Sequence, residues 1–213
     1  MSSPATATRG KGLLEGFLAR RRCAMADRLI PSDVRSGSVL DIGCGSFPTF
    51  LDGTHFTERF GIDQVHPEAW VGLVPPLQLV TFDAESFPAL PFRDASFDVV
   101  TMLAVLEHIE EAHLPRVLGE VRRVLRPGGR FVVTTPPPWT DRLLKVIARV
   151  GLVSKQEIEE HDKTFVRAEL ATLLASAGFI SIEAGYFELG MNVWATAVTP
   201  LEATRGPAAD ARA

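Results

Sequence analysis

The sequence has 213 residues, of which 46% are hydrophobic and 23% are charged. This profile is typical of a globular protein and excludes long disorder and fibrous structure. The 22 basic and 26 acidic side chains leave a formal net charge of −4, which argues against nucleic acid as a partner, because a phosphate backbone attracts basic surfaces. We therefore expect one folded domain with a shared core.

Cys23 and Cys44 are the only cysteines. They are too few for a disulfide framework and lack the Cys/His spacing that holds zinc, so we predict a reducing, cytoplasmic location and no metal site. The sequence has no apolar run long enough to span a bilayer and no secretion signal, so no stable membrane insertion is expected. Residues 1–10 and 201–213 are predicted to be disordered ends of a domain over 11–200.

Short buried-strand patterns alternate with helical patterns along the first two thirds of the chain. The strand candidates are residues 38–42, 59–62, 77–82, 97–103 and 130–135. Helical periodicity covers Gly12–Leu29 and Ile109–Leu125, and Pro127-Gly128-Gly129 follows the second of these. This alternation predicts an α/β fold with a doubly wound, mostly parallel sheet.

The pattern changes after the fifth strand candidate. Residues Trp139–Val150 have the spacing of an inserted amphipathic helix, and Arg167–Ala177 form a further helix that ends at Gly178. Two extended runs, Phe179–Phe187 and Asn192–Thr199, are joined by four residues. So short a connection requires antiparallel strands, which predicts that the sheet finishes with a hairpin.

The strand candidate at 38–42 runs into two glycines, Gly43 and Gly45. Glycine permits a positive φ and close approach of a ligand to the backbone at the carboxyl end of a strand. About 20 residues further on, the next strand candidate is followed by Asp63, where a carboxylate could bind a ribose diol. The spacing indicates a nucleotide-type site; the alternative is a structural turn beside an exposed aspartate.

A dinucleotide and S-adenosylmethionine both fit such a site. A dinucleotide needs a third glycine next to its pyrophosphate, and this sequence has Pro48 at that position. Asp41, two residues before the first glycine, would also repel a pyrophosphate but suits a ligand with an ammonium and a sulfonium group. The charges therefore favour S-adenosylmethionine.

An ordered set of motifs runs through the chain: Asp41-Ile42-Gly43-Cys44-Gly45, Asp63, Asp83-Ala84-Glu85 with Leu90-Pro91-Phe92, Ser96-Phe97-Asp98-Val99-Val100, Leu106-Glu107-His108 and Leu125-Arg126-Pro127-Gly128-Gly129-Arg130. In this order they resemble the motifs of class I S-adenosylmethionine-dependent methyltransferases, most closely the small-molecule branch that includes quinone-biosynthesis enzymes. The resemblance covers about residues 36–199 and implies a Rossmann-like, seven-stranded sheet with an antiparallel final strand. Phe47 departs from it, because many members have glycine there.

The resemblance implies a role for each residue of the cofactor site. Asp41 would lie near the methionine moiety, and Asp63 would accept both ribose hydroxyls. The other residues implied are the turn backbone of Gly43, Cys44 and Gly45, Gln64 beside the adenosine, Asp83 and Ala84 at the adenine, and Leu103 along the cofactor.

Methyl transfer relies mainly on positioning, but a hydroxyl acceptor would profit from a general base. The candidate catalytic residues are Glu107 and His108, near the end of the fourth strand, and His161. The alternative for the two histidines is a capping or packing role. Glu107, His108, Glu110, Glu111 and His113 could also suggest a metal site, but their spacing favours the solvated start of a helix instead.

The acceptor is expected to be a small molecule, and residues 136–165 are the predicted inserted lid or substrate segment. Residues 139–153 could cover an apolar acceptor or contact a membrane surface, or they could pack on the domain as an ordinary helix. The predicted activity is methyl transfer from S-adenosylmethionine, with S-adenosylhomocysteine as product. The alternatives are a non-catalytic S-adenosylmethionine-binding protein and, less favoured, a dinucleotide-dependent oxidoreductase.

Overall fold

The computed structural model of the chain describes residues 13–45, 47–64, 77–82, 89–137 and 165–201. The strands within these residues, in chain order, are β1 (Ser38–Ile42), β2 (Glu58–Asp63), β3 (Leu77–Thr81), β4 (Phe97–Leu103), β5 (Leu125–Thr135), β6 (Ile180–Phe187) and β7 (Asn192–Val198). They form one sheet in the order β3-β2-β1-β4-β5-β7-β6. The helices are α1 (Leu13–Leu29), α2 (Thr49–Gly53), α3 (Leu114–Val124) and α4 (Arg167–Ser176), with 3-10 turns at Ser32–Ser36, Leu106–His108 and Glu188–Gly190.

Strands β1 to β5 run parallel to one another, and β7 is antiparallel to both β5 and β6. The predicted doubly wound sheet and its closing hairpin are therefore confirmed. Because β6 runs in the same direction as β5, the connection between β6 and β7 lies at the edge where the parallel strands end. We call this edge the carboxyl edge.

Side chains alternate between the two faces of the sheet, as the strand period requires. Leu40 and Phe131 belong to a core with residues of α3 and α4, whereas Val39 and Val132 belong to a core with residues of α1 and α2. The continuous apolar runs in the sequence are thus explained by helices that cover both faces.

Two boundaries differ by five residues from those predicted, and other boundaries differ by one residue. Helix α3 begins at Leu114 rather than Ile109, because Leu106–His108 form a separate 3-10 turn and Pro115 occupies the first turn of the helix. Strand β5 begins at Leu125, with a register shift opposite Phe97–Val99. The glycines that follow Pro127 are bound to Thr199, since Gly128 N–H donates to its carbonyl at 3.1 Å and Thr199 N–H donates to Gly129 O at 2.9 Å.

Several predicted features lie outside the described residues. These are the helix at Trp139–Val150, the segment 136–165 except for its ends, the terminus 1–10, and the tail beyond Leu201. Within the part of the chain that is described, no helix has the length and hydropathy needed to cross a membrane.

Candidate functional site

The glycine turn after β1 is attached to the end of β2 by its backbone. Gly43 and Gly45 both have a φ of 74°, which a side chain would strain. The N–H groups of Gly43 and Cys44 donate to the carbonyl of Ile62 at 2.8 and 3.2 Å. The turn therefore lies directly beside the strand that ends in Asp63.

Asp63 is connected to this turn through its side chain. The N–H of Gly45 donates to Asp63 Oδ2 at 2.7 Å. An ionised carboxylate can accept about four hydrogen bonds, so this contact is compatible with acceptance of ribose hydroxyls. A Cβ atom added at Gly45 would meet none of the described residues within 4 Å, so these residues leave open space above the turn. An opening beside an accepting carboxylate fits an adenosine ribose.

At position 43, glycine is required because Val105 leaves no space for a side chain. A Cβ atom at this position would lie 2.3 Å from Val105 Cγ2. Val105 reaches the turn because Ala104, just after β4, has a φ of 59° and donates its N–H to Thr134 O at 2.8 Å. This left-handed residue redirects the chain after β4 over the glycine turn, so the ends of β1 and β4 pack together.

Asp41 is a buried carboxyl group under the turn. Burial raises the pKa of Asp41 to about 7; the hydrogen bond from Thr101 lowers it, and the charge of Asp63 raises it. Thr101 Oγ1 donates to Asp41 Oδ1 at 2.5 Å. Because a buried anion is costly, this position favours a ligand with positive charge.

Both cysteines lie near this carboxyl group. Burial and the charge of Asp41 raise the pKa of the Cys23 thiol to about 12. Burial and the charges of Asp41 and Asp63 also raise the pKa of Cys44. Both side chains are therefore neutral thiols at physiological pH. Cys23 of α1 packs against the cluster that contains Val39 and Cys44, so α1 lies next to the site.

After the end of β4, the burial of Glu107 differs from one of the sequence-based interpretations. The alternative of a solvated helix start is wrong for Glu107, which is only 1% exposed, whereas Glu110 and Glu111 are exposed. Leu106–His108 form a 3-10 turn in which both Leu106 and Glu107 are buried. His108 and Leu103 are half-buried.

The structure brings most of the predicted cofactor residues to one place. Asp41, Gly43, Cys44, Gly45, Asp63 and the exposed Gln64 surround the ends of β1 and β2, and Leu103 ends β4, which pairs with β1. Asp83, Ala84 and His161 lie outside the described residues. Among the residues that are described, no group of three or more His, Cys, Asp or Glu side chains could hold a metal ion.

Sequence reasoning missed Thr101 and Val105. Both act through partners more than 50 residues away in the chain, Asp41 and Gly43. The only signal available was that Thr101 interrupts an otherwise apolar strand with a hydroxyl group.

Comparisons with known proteins agree with this geometry. Residues 40–133 match the family model of a methyltransferase domain. The chain is 32% identical over 129 residues to a sterol 4-C-methyltransferase of Caenorhabditis elegans, covering 56% of this chain and 36% of that protein. It is 35% identical over 103 residues to a demethylmenaquinone methyltransferase of Symbiobacterium thermophilum, covering 44% and 40%. The chain thus spans less than half the length of these curated relatives.

A solved structure shows the same fold over most of the chain. It is a Burkholderia thailandensis 1,6-didemethyltoxoflavin-N1-methyltransferase with bound 1,6-didemethyltoxoflavin and S-adenosylhomocysteine. The TM-score is 0.63 and the identity 19%, with 87% of this chain and 81% of that chain covered. At this identity the likeness is one of fold, and it confirms the predicted Rossmann-like sheet.

Proposed function

We propose that the protein transfers a methyl group from S-adenosylmethionine to a small-molecule acceptor, which the match of residues 40–133 to the family model of a methyltransferase domain supports. One observation carries the proposal. The amide of Gly45 is bound to the Asp63 carboxylate beside an open space, at the carboxyl edge of a doubly wound sheet, where ligands of such sheets bind.

In the proposed site the cofactor lies across the ends of β2, β1 and β4. Asp63 accepts the ribose hydroxyls, and Asp41 faces the positively charged methionine end. The remaining proposed contacts are the backbone of Gly43, Cys44 and Gly45, with Gln64, Asp83, Ala84 and Leu103. S-adenosylmethionine, when bound, supplies a methyl group on a sulfonium that is already a good leaving group.

The chain's own contribution to the transfer is positioning and exclusion of water. For a hydroxyl acceptor we propose that His108 takes the proton, because it is half-buried after β4 and histidine is the side chain most often used as a general base. Glu107 is enclosed, which favours a role in positioning its neighbour. His161, in the proposed cover at 136–165, is the second candidate base.

The acceptor is proposed to be a largely apolar ring compound. The two curated relatives are named for a sterol and for a demethylated menaquinone, and both kinds of molecule are apolar. The cysteine usage supports a reaction in the cytoplasm.

The test begins with binding of S-adenosylmethionine, S-adenosylhomocysteine and NAD, measured by calorimetry. We expect the first two to bind and to stabilise the fold by about 2.7 kcal/mol at 100 times the dissociation constant. Release of S-adenosylhomocysteine is then measured with reduced demethylmenaquinone, a sterol and a wider set of ring compounds. Stabilisation by NAD instead would contradict the proposal, and binding without turnover would support the non-catalytic alternative.

A further inference from the structure

A group of enclosed polar side chains lies at the carboxyl edge, away from the glycine turn. Thr134 is near the end of β5, Asn192 begins β7, and Glu188 belongs to the connection between β6 and β7. Thr134 is 0% exposed, Asn192 is 3% exposed and the side chain of Glu188 is 4% exposed. We call these three residues the polar corner.

Only part of the hydrogen-bonding capacity of the polar corner is used. Asn192 Nδ2 donates to Glu188 Oε2 at 2.6 Å, and Arg21 Nε of α1 lies 3.5 Å from Glu188 Oε1. Within the described residues, Thr134 Oγ1 and Asn192 Oδ1 have no hydrogen-bond partner, and Glu188 Oε1 has the ion pair with Arg21 but no hydrogen bond. Since buried polar atoms in proteins are nearly always bonded, two such atoms beside a carboxylate with spare acceptor capacity favour a bound group.

Thr134 and Asn192 face the same side of the sheet. Thr134 pairs with Trp194 across β5 and β7, so their side chains share a face, and Asn192 shares it because alternate residues of a strand point the same way. Val132, two residues before Thr134, points to the same face and packs in the core that contains residues of α1. This face is therefore the one that α1 covers, and the Arg21–Glu188 contact places α1 next to the polar corner.

The polar corner is too far along the sheet to belong to the ribose end of the cofactor site. In the sheet order, β7 is three strands away from β1, which corresponds to roughly 14 Å. It shares the carboxyl edge with the glycine turn but lies beyond β4 and β5. This is where the second reactant would meet the methionine end of the cofactor.

The atoms of the polar corner determine which kind of ligand group could bind there. Asn192 Oδ1 and the Glu188 carboxylate can only accept hydrogen bonds, and the Thr134 hydroxyl can accept or donate. Trp194 is next to them, with its ring close against Gly185, where an added Cβ atom would come within 2.8 Å of the ring. Such surroundings suit a hydrogen-bond donor attached to a flat apolar ring.

The backbone of the connection is strained at this point. Glu188 and Leu189 have φ angles of 53° and 57° without being glycine, and Leu189 is 99% exposed. Strain of this kind persists where surrounding contacts enforce it and is concentrated at functional sites. Here the contacts of Glu188 with Asn192 and Arg21 hold the carboxylate inward.

We propose that Thr134, Glu188 and Asn192 bind a hydroxyl group of the methyl acceptor, so that the protein selects hydroxylated ring compounds over equally apolar compounds without a donor. This inference rests on the proposed function and specifies the substrate class of the same site. The acceptor enters beside Arg21, whose side chain is half-exposed.

The test compares 2-naphthol with 2-methoxynaphthalene, which has the same ring system but no donor. Calorimetry on the full chain, with and without saturating S-adenosylhomocysteine, should show 2-naphthol binding at least fivefold more tightly. Thr134→Val and Glu188→Gln should each reduce this ratio below twofold while leaving the affinity for S-adenosylhomocysteine within twofold. Thermal unfolding verifies that each variant folds. If Glu188→Gln does not fold, the result for Thr134→Val decides the test.

Thr135→Val is the matched control. Thr135 is the next residue of β5, is equally buried and has a hydroxyl likewise unbonded within the described residues, but it faces the other side of the sheet. It should keep the wild-type ratio. Equal affinity for the two probes, no binding of either, or a ratio unchanged by Thr134→Val would overturn the polar corner as a subsite. Failure of the wild type to bind S-adenosylhomocysteine would count against the proposed function instead, because the probe ratio is also measured without it.

Discussion

The carboxylate of Asp63 has a structural contact and a proposed ligand contact. It holds the glycine turn through the N–H of Gly45 at 2.7 Å, and in the proposed site it also accepts the ribose hydroxyls. Asp63 is only half-buried at the end of β2. Replacing it should therefore weaken cofactor binding far more than it destabilises the fold.

We expect Asp63→Ala to lower the affinity for S-adenosylhomocysteine by ten- to a hundredfold. Hydrogen bonds to a charged acceptor contribute about 1.5–3 kcal/mol, which corresponds to that range. Titration calorimetry measures the affinity, and Asp63→Asn, which keeps an acceptor oxygen without the charge, should give an intermediate loss. If Asp63→Ala binds as tightly as the wild type, this residue is not part of the cofactor site.

The glycine turn follows β1, and its two glycines have different surroundings. Gly43 packs against Val105, whereas no described residue lies within 4 Å of a Cβ atom added at Gly45, and both glycines have a φ of 74°. The protein therefore excludes a methyl group at Gly43, and in the proposed site the cofactor excludes one at Gly45.

Gly43→Ala should destabilise the fold, and Gly45→Ala should mainly reduce cofactor binding. At Gly43 the overpacking against Val105 adds about 1–3 kcal/mol to the roughly 1–2 kcal/mol of a left-handed non-glycine residue. At Gly45 only the cost of a left-handed non-glycine residue applies, but the added methyl group would occupy the space proposed for the cofactor. Urea unfolding and calorimetry on both variants separate these effects. Equal losses of stability, or an unchanged affinity in Gly45→Ala, would contradict this account of the turn.

For the whole molecule, the buried Asp41 makes stability depend on pH. Its pKa is raised to about 7 in the fold, chiefly by burial, and is close to 3.9 in an unfolded chain. The folded state therefore binds more protons between these values, so the stabilisation is complete below about pH 4 and is lost as the pH rises through 7.

In the absence of ligand, we expect the free energy of unfolding of the wild type to fall from about pH 4.5 to pH 7, at up to about 1.4 kcal/mol per pH unit. Asp41→Asn should show a much weaker decline in urea unfolding over the same range. The same slope in both proteins would mean that Asp41 is already ionised in the fold.

Asp98→Asn is a control, because Asp98 affects the pH dependence of stability in the opposite direction to Asp41. Partial burial raises the pKa of Asp98, but the Ser38 N–H and the Arg126 guanidinium outweigh burial and hold it below the ordinary value. Its carboxylate therefore stabilises the fold above the unfolded pKa and ceases to do so in acid. Asp98→Asn should lower stability at neutral pH and keep the decline that Asp41 causes.

The alternation of strands and helices, the antiparallel hairpin, and the glycine turn with Asp63 after the next strand are all predictable from the amino-acid sequence. These features depend on local spacing: apolar periodicity, two glycines separated by one residue, and a connection too short for a crossover. The parallel β1–β2 pair then brings Gly45 and Asp63 together without further information, because parallel strands end at the same edge.

The face that each polar side chain occupies, and the groups it contacts there, depend on long-range packing. Glu107 has a polar sequence context but is buried in the 3-10 turn at Leu106–His108, which precedes the predicted helix. Thr134 and Asn192 are 58 positions apart, and they share one face only because β5 and β7 pair in a particular register. A shift of that register by one residue would move Thr134 relative to its partners, and no local pattern in the sequence specifies it.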